Sequence, residues 1–100
     1  MGASENNNKK SSNKSVIFVG NKPQINYVMA LVTELNRTDE TAIMARGKAI
    51  NTAVDVIEIA RSKFIKGLQI NKIKIGTETA KSKNGKLTSF STIEIYISQN

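Results

Sequence analysis

Hydrophobic and polar residues follow two periods along this chain, and these lay out its elements. Val16 to Val19 is a continuous β-branched and aromatic run that stops at Gly20 and Asn21, as a short strand buried on both faces would. Lys22 precedes Pro23, whose fixed φ suits the first position of a helix. Turned at about 100° per residue, Ile25, Val28, Met29, Leu31, Val32 and Leu35 fall on one side of a helix from Pro23 to about Asn36. After a turn at Thr38, Asp39 and Glu40, Thr41 to Ala45 is again short and apolar. It reads as a second buried strand, joined to the first by a crossover helix as parallel pairing requires.

Arg46-Gly47-Lys48 punctuates that strand, and a second helix is expected from about Lys48 to Lys66. Ile50, Ala53, Val54, Ile57 and Phe64 form its apolar stripe, and Ala49, Val56 and Ala60 widen it. The arc is about 180° across where one core needs about 100°, so something beyond the chain's own sheet is expected to cover this helix. Ile73 and Ile75 alternate with Lys72 and Lys74, and Ile93, Ile95 and Ile97 with Glu94 and Tyr96, the period of strands with one covered face. The polar stretch between them, Thr77 to Ser89, carries Asn84-Gly85, a strong hairpin-turn signal. The predicted fold is α/β, a two-layer sandwich of order β-α-β-α-β-β. It has a mixed four-stranded sheet, two helices on one face and an extended β-hairpin.

This domain is expected over residues 16–100. Residues 1–15 hold Glu5, three asparagines from Asn6, Lys9, Lys10 and Lys14 and, past Met1, no large apolar side chain, so they read as a disordered basic tail. The 15 Lys and Arg against 8 Asp and Glu give a net charge of +7 without any His, which points to an anionic partner. Lack of Cys and His removes the usual zinc, haem and iron–sulfur ligands, thiol nucleophiles, disulfides and imidazole catalysis. No metal and no cofactor are therefore expected. No apolar run approaches the ~20 residues that span a bilayer, and the N-terminus is polar. The chain is expected to be soluble and intracellular, in nucleus or cytoplasm, with neither a membrane nor a small-molecule substrate as partner. AT-rich coding by itself enriches Asn, Lys and Ile, so the charge argument rests on where the lysines sit.

Eight of the 15 cations lie between Arg61 and Lys86, where Glu78 is the one acid. Lys81, Lys83 and Lys86 flank the Asn84-Gly85 turn, and a basic hairpin tip is shaped to enter a groove or follow a phosphate backbone. Such lysines also solvate an ordinary surface loop. In Arg46-Gly47-Lys48 a glycine lets the backbone approach a phosphate, the following helix start presents free N–H groups, and two cations flank them. Gly20-Asn21-Lys22-Pro23 occupies the same place after the first strand, and parallel pairing brings both loops to one sheet edge. Neither matches the glycine spacing of a phosphate loop or a dinucleotide fingerprint. Tyr27 falls at the margin of the first apolar face, a place that suits a core-edge tyrosine or a ring stacked on a base or sugar. Asp55 and Glu58 read as surface helix residues.

Three segments, taken in order, resemble the Alba family of small basic chromatin and RNA-binding proteins. They are Val19-Gly20-Asn21-Lys22-Pro23 with Asn26-Tyr27-Val28, then Ala45-Arg46-Gly47-Lys48-Ala49-Ile50 with Ala53-Val54-Asp55, and Ser91-Thr92-Ile93-Glu94-Ile95. The resemblance covers about residues 15–98. It implies a dimer, with itself or with a paralogue, that binds DNA or RNA with little sequence preference. Lys22, Arg46 and Lys48 inherit binding roles with their neighbours Asn21 and Gly47, and the hairpin lysines inherit them more loosely. Ile57 and Phe64 are the expected contacts within or between dimers. Family members commonly carry two lysines before the proline, the first being the acetylated one; Asn21 stands there, so that switch is not implied. The expected function is non-enzymatic nucleic-acid binding in chromatin organisation or RNA regulation. Rivals are a protein subunit of a ribonucleoprotein enzyme such as ribonuclease P, and a small metal-dependent nuclease using Asp55 and Glu58.

Overall fold

The structure, a computed structural model, describes residues 13–99. Its elements run β1 (Lys14–Phe18), α1 (Gln24–Arg37), β2 (Glu40–Arg46), α2 (Ala49–Lys63), β3 (Leu68–Lys81) and β4 (Leu87–Gln99). All but the last three residues of the expected basic tail lie outside the described residues. Of those three, Lys14 and Ser15 already belong to β1, where they pair with Glu40 and Thr41. The four strands form one sheet in the order β1-β2-β4-β3, with β1 and β2 parallel and the other pairs antiparallel. This is the mixed α/β sandwich that the two periodicities imply. Among the described residues, no helix is long and apolar enough to cross a membrane.

One sheet face carries the core. Val28, Leu31 and Leu35 of α1 and Ala53, Val56, Ile57 and Ala60 of α2 close over Ile43, Ala45, Ile95 and Ile97. Leu31, Ile43 and Ile97 are fully buried, so each contributes on the order of 2–3 kcal/mol of burial. The one buried polar residue described, Thr41, exchanges hydrogen bonds with Ser15 Oγ at 3.0 Å and Thr38 Oγ1 at 3.1 Å, so its desolvation is compensated.

The breadth of the α2 arc has an answer inside the chain. This helix packs on α1 as well as on β2, and two contact directions need a wider apolar face than one. Ile57, expected at an interface between copies, is 2% exposed and fills the core. What remains uncovered on α2 is Val54 at 43%, with Phe64 at 48% just beyond its end.

β1 departs from expectation as well. It was read as buried on both faces, yet it is an edge strand with an alternating pattern: Ile17 packs on the core while Val16 and Phe18 stay exposed. A continuous apolar run cannot reveal that no described residue covers the second face.

Tyr27 belongs to the core, 7% exposed, and stacking on a base is closed to it. Its hydroxyl oxygen accepts from the backbone N–H of Gly20 at 2.9 Å and of Lys22 at 3.0 Å. One phenol thereby holds the β1–α1 loop in shape. Tyr27→Phe removes the acceptor and leaves two loop donors to find water, an expected loss of about 1–2 kcal/mol, to be checked by urea denaturation.

Candidate nucleic-acid interface

Parallel pairing of β1 with β2 brings the β1–α1 and β2–α2 loops out at one end of the sheet. The Val19 N–H donates to Met44 O at 2.9 Å, fastening the first loop beside the end of β2. Asn21, Lys22 and Lys48 are all exposed there. Both helices start at this end, and neither has a side-chain cap or an acidic residue in its first turn. Their free N–H groups and positive dipole ends therefore face outward without an internal counter-charge.

Gly47 makes the second loop possible. Its φ is +55°, its N–H donates to Ser91 O at 2.9 Å, and its carbonyl accepts from the Ile50 N–H at 3.1 Å. The turn is tied both to the hairpin and to the helix it opens. A β-carbon at Gly47 would stand 3.6 Å from the Phe90 ring, so the obstacle to a larger residue is the backbone angle.

The hairpin projects from the same end. Arg46, the last residue of β2, lies opposite Thr92, while β3 and β4 go on pairing from Thr77↔Ser91 to Lys81↔Leu87. This arm has no neighbour in the sheet and reaches roughly 15 Å beyond it at about 3.3 Å per pair. At its tip the Gly85 N–H donates to Ser82 O at 2.9 Å and Gly85 has φ +84°. Lys83 and Asn84 therefore form the centre of a turn closed by a left-handed glycine. Lys81, Lys83 and Lys86 are exposed around it.

Arg46 joins arm and loop. Its Nη1 donates to Glu78 Oε1 at 2.8 Å, and its guanidinium lies 5.0 Å from the centre of the Phe90 ring. Both charged side chains are more than half exposed, so this pair is weak, on the order of 1 kcal/mol or less, and a phosphate can replace Glu78. Sequence reasoning missed Glu78 and Phe90 as partners of Arg46. Both sit in the arm, and only the antiparallel register brings them beside the end of β2.

The remaining candidates lie elsewhere. Phe64 stands at the far end of α2 from the loops. Glu58 is engaged by Arg61 of the same helix, and among the described residues no group of three or more metal-ligating side chains gathers around it or Asp55. On the open sheet face the Tyr96 hydroxyl donates to Glu94 Oε1 at 2.6 Å. That bond, more than the nearby negative charge, raises the tyrosine pKa.

The family model for Alba matches residues 15–77. A DNA/RNA-binding protein Alba of Methanothrix thermoacetophila is 51% identical over 83 residues, covering 82% of this chain and 92% of its own. Its namesake in Thermoplasma acidophilum is 46% identical over 87 residues, covering 86% and 97%. Among solved structures, Alba from Thermoplasma volcanium superposes with a TM-score of 0.78 at 46% identity, over 84% of this chain and 99% of that one. The crystal structure of ALBA1 from Trypanosoma brucei shares the fold at a TM-score of 0.67 and 22% identity, over 84% and 68%. With the family model spanning more than half of its length and relatives near one-half identity along almost all of theirs, the chain belongs to the Alba family.

Proposed function

We infer that this protein is a non-enzymatic DNA- and RNA-binding protein that acts as a dimer, with itself or a paralogue, in chromatin organisation or RNA regulation. The observation that carries the reading is the convergence of Lys22, Arg46, Lys48, two uncapped helix starts and a lysine-tipped arm at one end of the sheet. The names of the relatives, DNA/RNA-binding proteins, support it. Cations spread over two loops and an arm neutralise successive phosphates and release counterions, an interaction that carries no base sequence. The arm's length suits it to follow a groove while the loops hold the backbone. On binding, Arg46 exchanges the Glu78 carboxylate for a phosphate, keeping Phe90 beneath it.

The dimer reading rests on apolar surface that a single chain leaves bare. Ile73 and Ile75 project from β3 on the helix side of the sheet at 55% and 82% exposure, and β3 makes no substantial contact with either helix. Ile50, Ile75 and Ile93 line one hollow there, and Val54 continues the surface on α2. A second copy offering the same residues about a two-fold axis covers both.

Three measurements check these readings. On unrelated duplexes, affinity should fall roughly 10³-fold between about 50 and 200 mM salt for about six neutralised phosphates; an affinity flat over that range removes the electrostatic reading. Arg46→Ala with Lys48→Ala should weaken binding by about 3 kcal/mol, at about 1.5 kcal/mol for each charge-assisted contact. Lys63→Ala with Lys66→Ala removes equal charge at and just beyond the opposite end of α2 and should cost far less. Equal losses would mean that net charge alone drives binding. Sedimentation equilibrium at micromolar concentration should give twice the chain mass, and Ile75→Lys should return it to that of one chain.

A further inference from the structure

Phe18 is the most exposed aromatic among the described residues, at 73%, and neither the core nor the phosphate contacts use it. It ends β1 on the open face of the sheet, just before the Gly20 loop. Strand pairing sets Phe18, Met44, Glu94 and Lys74 in one row across that face, and Arg46, Thr92 and Gly76 in the next row toward the arm. Gly76 contributes no side chain to the second row, and a β-carbon there would press to 3.3 Å of Thr92 Oγ1. The result is a depression of about 620 Å³ lined by Phe18, Met44, Arg46, Glu78, Thr92 and Glu94.

We propose that this depression holds one unpaired nucleotide of a single-stranded nucleic acid, its base stacked on Phe18 beside Met44 and its phosphate on Arg46. The proposal rests on the nucleic-acid reading above and adds a site to it. Charge decides the orientation. Arg46 is the one cation among the residues lining the depression and its exposed pair with Glu78 can give way to a phosphate, whereas Glu94 in the Phe18 row already engages Lys74 and the Tyr96 hydroxyl. Phe18 and Arg46 are diagonal neighbours across the β1–β2 pair, their backbones about 8 Å apart from the strand spacing and the rise of two residues, within the reach of a single nucleotide. An exposed aromatic ring on a sheet is a stacking platform for any base whose face is free. Bases inside a duplex have no free face, so the site is specific to unpaired strands.

The experiment compares one unstructured 12-nucleotide RNA, the same RNA annealed to its complement, and the DNA strand of the same sequence. Phe18→Ala should weaken single-strand binding by about fivefold to a hundredfold, the range for loss of one stacked base, and leave duplex affinity within twofold. Phe18→Trp should restore single-strand affinity. Since the chain has no Trp, that variant carries a single indole whose fluorescence should be quenched by the single strand and not by the duplex. A loss on either the RNA or the DNA single strand supports the site and tells which sugar it accepts. Phe18→Ala that binds every probe as the parent does, or weakens duplex and single strands alike, overturns the site while the nucleic-acid reading stands. A parent protein that binds none of the probes overturns both.

Discussion

The arrangement depends on the parallel pairing of β1 with β2. Two parallel strands cannot be joined by a tight turn, so the chain must return across the sheet through a helix, and α1 makes that return. Both strands consequently end at the same side, and both following helices begin there. Loops with a flexible glycine, free helix N–H groups and exposed cations are thus gathered at one end, with the Val19 N–H on Met44 O fastening the first beside β2. β4 lies antiparallel to β2 and opposes Arg46 with Thr92, so the hairpin can leave the sheet only at that same end. One pairing choice therefore places every cationic element of the candidate interface.

Within that frame no single interaction is strong. The ion pairs described are surface pairs, each weak in water, and the lysines at the arm tip and in the loops are solvated. Such a surface suits a ligand that offers many equivalent charges, because affinity then accumulates from several modest contacts. Position matters at the two places where backbone geometry is fixed. Gly47 takes a left-handed angle and ties its loop to Ser91, and Tyr27 gathers two N–H groups of the other loop. These local constraints set the two loops apart from a general excess of lysine as a candidate site.

Much of this was legible in the sequence. Helix and strand periods reported the order of elements, and the Gly-Asn-Lys-Pro and Arg-Gly-Lys segments marked the loops, because turn chemistry and amphipathic spacing are local signals. The sequence leaves Tyr27 open and misplaces Ile57 and Phe18 for a shared reason: burial depends on what lies across the sheet. Tyr27 has a helical spacing that fits margin or core equally, and only the loop folding back over its hydroxyl decides. Ile57 lies on a stripe whose breadth signalled a partner, and part of that partner is α1. Phe18 sits in an apolar run that looks the same whether one face or two are covered. The contacts of Arg46 with Glu78 and Phe90 span 32 and 44 positions in the chain, and register alone brings them together.

Two of the exposed apolar surfaces among the described residues lie on opposite faces and at opposite edges of the sheet. Ile73 and Ile75 project from β3 on the helix side, while Val16 and Phe18 project from β1 on the open side. A partner that covers β3 and the flank of α2 approaches from the helix layer, with the whole sheet between it and Phe18. Association of two copies and contact of an unpaired base would therefore not compete for surface. Arg46 lies on the open face at the end of β2, where its side chain meets the arm, so a nucleotide on that face and a phosphate track along the arm would share one cation. That sharing would couple the open face to the arm: a ligand group that engaged Arg46 would displace Glu78, and the arm would lose its one described ion pair to the body of the domain near the loops.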